Sequence, residues 1–183
     1  LESLLSKQEL HSARRSTPNA FYTSHTVMQS MVDALAHMGV SGEPVQALEP
    51  GSGIGNFMGI APEGFAFVGV EKENLSARIA RKLYPQHQVL AKDYKDTETA
   101  LPGDDQPLLQ DNAFDVAIGN IPFGKIQLPH SDGKSYKIHD YFLRKSLDKL
   151  REGGIMAVVT SAFTMDKQDS SMREMLADQA DLV

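Results

Sequence analysis

The sequence predicts an α/β fold built on a doubly wound, mostly parallel sheet, and three observations carry that prediction. Short apolar runs recur at 45–49, 65–71, 88–91, 114–119 and 155–160. Segments with apolar residues at helical spacing lie between or beside them, at 24–38, 74–84, 138–150 and 171–180. A glycine loop, Gly51-Ser52-Gly53-Ile54-Gly55, follows the first run directly. Strands that alternate with helices pair in parallel.

Each element has its own signal. In 24–38, Val27, Met31, Ala34, Leu35 and Met38 share a helical face, with Ser24 as the expected N-cap and Gly39 as the stop. In 74–84, Asn74 is the expected cap and Leu75, Ile79 and Leu83 form the apolar face, with Pro85 ending the helix. Pro102, Gly103, Asp104, Asp105 and Pro107 mark 95–113 as an irregular surface loop, and 124–137 reads as a polar loop. Gly153-Gly154 closes the helix at 138–150. No internal repeat is visible.

Composition narrows the function classes. A chain of 183 residues holds one domain with a real core, and 41% apolar against 23% charged residues suits a globular fold. The formal charge is −6 and the sequence has no Lys/Arg-rich block, so no nucleic-acid track is legible in it. Cys is absent, which excludes disulfides and thiolate ligands and fits a reducing cytoplasm. No apolar run approaches the ~18 residues of a membrane span, and no signal peptide is evident. The chain begins at Leu1 rather than Met and is expected to be a piece of something longer. Residues 1–20 read as an N-terminal extension and 21–183 as the main domain.

In a parallel sheet, ligands bind beyond the carboxyl ends of the strands. Glu49, Pro50, Gly51, Gly53 and Gly55 stand after the first strand, Glu71 after the second, and Asp93 and Tyr94 after the third. Asn120-Ile121-Pro122-Phe123 follows the fourth. The loop is not a dinucleotide turn, because Asn56 stands where the third glycine of G-x-G-x-x-G would fall, and it lacks the Gly-Lys-Ser/Thr ending of a P-loop. Glycines preceded by an acid suit a ligand that the backbone approaches closely but that is not anionic. Glu71 could accept both hydroxyls of a ribose, and Asp93 an adenine amino group. The ligand so described is an adenosine with a cationic or zwitterionic tail, which fits S-adenosylmethionine. An ordinary strand–helix turn explains the glycines alone, but not the acids at the adjoining strand ends.

These residues resemble the motifs of class I, Rossmann-like S-adenosylmethionine-dependent methyltransferases of the amino-methylating DNA type, over essentially 19–183. Phe21-Tyr22-Thr23 resembles the Y/F-T-P element before the first helix of adenine-N6 enzymes, and 48–57 resembles their first cofactor motif. Val70-Glu71 is similar to the ribose-binding acid, Asp93-Tyr94 to the adenine-binding pair, and 120–123 to the N-P-P-Y/F catalytic motif. Residues 78–85, 119–124 and 138–142 resemble the methylase part of large methylase–helicase proteins of plasmids, phages and integrative elements.

The resemblance implies methyl transfer to the exocyclic N6 amine of adenine in DNA, in a restriction-modification or mobile-element setting. It makes Asn120, Ile121, Pro122 and Phe123 the catalytic candidates. Tyr22, Thr23, Glu49, Pro50, Gly51, Gly53, Gly55, Glu71, Asp93, Tyr94 and Asn120 become the cofactor-binding candidates. An exocyclic amine is a poor nucleophile because its lone pair is delocalised into the ring. In the family, the Asn side-chain oxygen and the next residue's carbonyl accept from it, which here means Asn120 and Ile121. Pro122 fixes the turn, and Phe123 offers a face to an extruded base. Three departures stand out: Ile121 replaces the first proline, Ser24 replaces the proline of Y/F-T-P, and Lys72 follows Glu71 where many relatives carry an apolar residue.

The complete family sheet has seven strands. Five are expected here, with Asp181-Leu182-Val183 opening a sixth and an exposed sheet edge inviting dimerisation. DNA contact is expected through regions absent from this chain, with a fused helicase as a further partner. Alternative readings are methylation of protein glutamine or of guanine N2 in RNA, and a non-catalytic cofactor-binding module serving a helicase. His11, His25, His37, His87, His130 and His139 are scattered without paired-ligand spacing, so no metal is expected.

Overall fold

Among the described residues, five parallel strands form the central sheet in the order β3-β2-β1-β4-β7. They are β1 (Val45–Pro50), β2 (Phe65–Glu71), β3 (Gln88–Ala91), β4 (Phe114–Asn120) and β7 (Leu150–Val159). The chain runs outward from β1 to β3, then returns to β4 on the other side of β1, so the topological switch lies between β1 and β4. The computed structural model describes residues 6, 7, 9, 10, 23–40, 44–98, 100 and 106–183. Phe21, Tyr22, His11 and most of the expected N-terminal extension lie outside the described residues, as do 101–105 of the long loop.

Helices cover both faces. α1 (His25–His37), α2 (Asn56–Ile60) and α3 (Asn74–Leu83) lie on one side, where Val32, Leu35, Phe57 and Ala80 join Ala47, Phe67, Val116 and Ile118 in one core. A 3-10 turn (Tyr94–Glu98), α4 (Ile138–Lys149) and α6 (Ser171–Ala177) lie on the other. There Tyr94, Tyr141, Phe142 and Met172 pack with Leu48, Val70 and Ala117. Neighbouring residues of β1 and β4 enter opposite cores because strand side chains alternate, and burial on both faces is why these strands read as continuous apolar runs.

Several expectations are corrected. The buried face of α1 is Met28, Val32 and Leu35, while Val27 is 44% and Met38 42% exposed. α3 packs through fully buried Ala77 and Ala80, and Ile79 and Leu83 are turned outward. Small side chains let that helix approach the sheet closely. Its cap is Glu73, whose carboxylate accepts from the Leu75 and Ser76 N–H groups at 3.0 and 2.7 Å; Asn74 is the first helical residue.

Further along, 127–137 is an antiparallel hairpin, β5 (Gln127–Pro129) with β6 (Ser135–Lys137), rather than plain loop. β7 begins directly at Leu150, with a register shift opposite Phe114/Val116 that takes in Gly153 (φ +75°), so the Gly pair lies in an irregular strand and not at a helix end. A short α5 (Phe163–Asp166) follows β7. Residues 181–183 pair with no described strand and are exposed, so the expected opening of a sixth strand is not formed.

Candidate functional site

The carboxyl ends of β1, β2, β3 and β4 surround a cleft of about 790 Å³. Its first wall is the glycine loop. Gly51, Gly53 and Gly55 have φ of +76°, +55° and +83°, the left-handed region that costs other residues about 1–2 kcal/mol each. The Gly51 and Ser52 N–H groups both donate to the Val70 carbonyl, at 2.8 and 2.9 Å, which curls the loop over the end of β2. A Cβ on Gly51 would lie 3.9 Å from the Asn120 carbonyl oxygen and from Pro122 Cδ, so the loop adjoins the segment after β4.

Two acids follow. Glu71 Oε2 accepts from the Gly53 N–H at 2.8 Å and Oε1 from the Glu73 N–H at 2.7 Å, tying the loop to the strand end. Burial raises its carboxyl above the usual range, against the lowering effect of those two bonds. Glu49 lines the cleft at 3% exposure, and among the described residues neither its Oε2 nor the Ser52 hydroxyl has a hydrogen-bond partner. Burial, then the nearby Glu71 charge, push the Glu49 carboxyl well up.

The third strand end supplies Asp93 and Tyr94. Lys72 Nζ lies 2.7 Å from Asp93 Oδ2 and both residues line the cleft, so the unusual lysine after Glu71 engages the acid beside it. The Tyr94 ring is buried, with its hydroxyl 3.2 Å from Ser146 Oγ. Beneath it lies Lys145, fully buried, which donates to the Tyr94 carbonyl, stands 4.7 Å from the ring centroid and lies 3.5 Å from Glu98. Burial brings the Lys145 ammonium down to about 8. This buried lysine was missed from the sequence. The one available signal is its position four residues after Tyr141, on the apolar face of α4.

The fourth end is 120–123. Asn120 closes β4 opposite Val159, and the Ile121 N–H donates to the Val159 carbonyl at 3.1 Å. Ile121 is buried and lines the cleft. The cleft thus brings together Thr23, Glu49, Gly51, Gly53, Glu71, Asp93, Tyr94, Asn120, Ile121 and Pro122. Pro50, Gly55 and Phe123 are outside its lining, and Tyr22 lies outside the described residues. Pro50 is buried behind the loop. Gly55 is there for packing, since a Cβ would meet the Tyr84 ring at 2.9 Å. Phe123 is 44% exposed. Among the described residues no group of three His, Asp or Glu could hold a metal ion, and no helix is long and apolar enough to cross a membrane.

No protein-family model matches the chain. It is 27% identical over 143 residues to the defense against restriction protein B of Escherichia phage P1, across 76% of this chain and 6% of that one. It is 29% identical over an alignment of 189 residues to the type II methyltransferase M.XamI of Xanthomonas campestris pv. amaranthicola, across 87% of this chain and 33% of that one. The chain therefore spans a third or less of these relatives. Among solved structures, a type I restriction-modification methyltransferase subunit from Streptococcus thermophilus superposes with a TM-score of 0.68 at 19% identity, covering 86% of this chain and 38% of that one. A TehB-like S-adenosylmethionine-dependent methyltransferase from Corynebacterium glutamicum gives 0.54 at 14% identity, covering 93% and 82%. The chain has the class I S-adenosylmethionine-dependent methyltransferase fold, and its sequence is similar to a type II methyltransferase and to a phage protein of defence against restriction.

Proposed function

We propose that this chain is a catalytic domain that transfers a methyl group from S-adenosylmethionine to the N6 amine of adenine in DNA. One observation carries the reading: Glu49, the glycine loop, Glu71 and Asp93 share a single cleft with Asn120, Ile121 and Pro122. The residues fit the cofactor. The unpartnered Glu49 Oε2 suits an ammonium group. Glu71 uses one site on each oxygen for the Gly53 and Glu73 N–H groups, and a carboxylate offers about four, so acceptor capacity remains for ribose hydroxyls. Asp93 takes one bond on each oxygen, from Lys72 Nζ and the Lys95 N–H, and keeps acceptor capacity for the adenine amino group.

When bound, S-adenosylmethionine supplies an electrophilic methyl on a sulfonium centre. The chain's own residues hold and orient. The Asn120 side-chain oxygen and the Ile121 carbonyl accept from the substrate amine and stabilise the positive charge it gains. Pro122 holds that turn beside Gly51, and the exposed Phe123 next in the chain offers its face to an extruded base. The work is positioning and electrostatics. The relatives are several times longer than this chain, and target recognition, a fused helicase and pairing of two copies along β7 belong to this reading as contributions from the larger assembly.

Incubation with methyl-labelled cofactor and DNA, RNA or protein, followed by digestion and mass spectrometry, tests it. N6-methyladenine from DNA is the expected product. Label in glutamine or guanine N2, or in no product, refutes the assignment.

A further inference from the structure

We propose that the β5–β6 hairpin is a nucleic-acid track that grips the phosphates of the strand whose base enters the cleft. This rests on the reading of the cleft as a base-methylating site. The segment 123–137 carries Lys125, Lys134 and Lys137 against a single acid, Asp132, in a chain of net charge −6. All three lysines are exposed, and among the described residues none has a carboxylate within 4 Å. Several other cations are engaged, Lys72 with Asp93, Lys145 with Glu98, Lys149 with Asp111, Arg151 with Asp115 and Lys167 with Asp140, while Lys7, Lys82 and Lys92 share the hairpin lysines' lack of an ion pair among the described residues but are not grouped with them in the chain.

Asp132 does not neutralise them. Its carboxylate accepts from the Tyr136 hydroxyl at 2.6 Å and the Lys134 backbone N–H at 2.9 Å, and lies 3.4 Å from His130 Nδ1. The hairpin is also fixed in place. The His130 side chain is buried, with the Tyr136 and Tyr141 rings edge-on at 5.8 Å and Nε2 3.0 Å from Asp148 of α4. The Ile138 N–H donates to the Ile126 carbonyl at 2.8 Å. A held hairpin presents its lysines with little ordering left to do on binding.

Its position matches a strand entering the cleft. Ile126 and Leu128 line the cleft with Ile126 63% exposed, and Phe123, 44% exposed, follows the cleft-lining Pro122 in the chain. Apolar and aromatic faces beside unpaired cations form a platform for unstacked bases with their backbone alongside.

Fluorescence anisotropy with labelled single-stranded and duplex oligonucleotides, over about 50–200 mM salt, reads the proposal on the whole chain. The variant Lys125→Gln/Lys134→Gln/Lys137→Gln should bind at least tenfold more weakly at low salt. Its slope of log affinity against log salt should be shallower by about 2 for single strands and about 3 for duplex, at ~0.7 and ~0.9 per phosphate contact. Calorimetric binding of S-adenosylmethionine should stay unchanged. Lys7→Gln/Lys82→Gln/Arg151→Gln, with the same charge change, should keep wild-type slopes. Wild-type DNA binding with an unaltered hairpin variant would overturn the track and leave the cleft reading intact. Polyglutamate bound as tightly as DNA would overturn the nucleic-acid assignment. A wild type that neither binds nor methylates DNA overturns both.

Discussion

Glu71→Ala removes the carboxylate that accepts from the Gly53 and Glu73 N–H groups at 2.8 and 2.7 Å. A hydrogen bond to a charged acceptor contributes about 1.5–3 kcal/mol when buried. Here water at the cleft wall replaces part of it, so the ligand-free protein should lose about 1–3 kcal/mol of stability. In the proposed function the same carboxylate accepts ribose hydroxyls, which adds a loss of about 1.5–3 kcal/mol in cofactor affinity, about 10- to 150-fold. Glu71→Gln separates the two roles: its carbonyl oxygen accepts one loop N–H, while its amide NH2 faces the other and offers the ribose one acceptor fewer. Thermal melts without ligand read the loop anchor. Calorimetry with S-adenosylmethionine and its homocysteine product reads the ribose contact. Wild-type affinity in both variants would show that Glu71 only anchors the loop, and the assignment of the cleft to an adenosyl ligand would fail.

Glu49 and Lys145 give pH-linked outcomes. The Glu49 carboxyl is raised above its usual 4.5 by burial and by Glu71. Its stabilising contribution is therefore full below the unfolded pKa and lost as pH rises through the folded one. Glu49→Gln should melt higher than wild type at neutral pH yet bind cofactor more weakly. A cationic ligand favours the ionised carboxylate, so the wild type should release a proton on binding, seen as calorimetric heats that vary with the buffer. Lys145 is brought from 10.5 down to about 8 by burial. The unfolded state then holds more protons between those values, so unfolding free energy should rise from about pH 8, by at most on the order of 3 kcal/mol. Burial pushes the Tyr94 and Tyr141 hydroxyls up, which reverses the trend from about pH 10, where unfolded tyrosines ionise. Denaturant melts of Lys145→Met should lose the pH 8–10 rise; a retained rise would assign it to another group.

The strands were the most legible part of the sequence. Runs 65–71 and 88–91 coincide with β2 and β3 because buried parallel strands are short apolar stretches bounded by turn residues. Strand-end acids followed from parallel topology alone. Helix faces were harder. Met28 and Val32 sit one position from Val27 and Met31, so two apolar stripes competed, and Ala77 and Ala80 carry little hydrophobic signal. The hairpin strands are three residues each, too short for a period to show. Lys145 owes its burial to Tyr94 and Glu98, some fifty positions earlier in the chain, which no local pattern reveals. Chain position also does not say which way a loop residue faces, which is why Pro50 and Gly55 fall behind the cleft wall.

The central claim is that Asn120 addresses the substrate amine from the same cleft that holds the cofactor. Single-turnover methyl transfer to adenine in DNA, measured for Asn120→Ala beside cofactor calorimetry on the same preparation, tests it most directly. Losing one acceptor that acts on charge developing in the transition state should slow transfer by about 10²–10³-fold, with cofactor affinity within about twofold of wild type. Wild-type turnover in this variant, or a loss of transfer fully matched by a loss of cofactor binding, would contradict the claim.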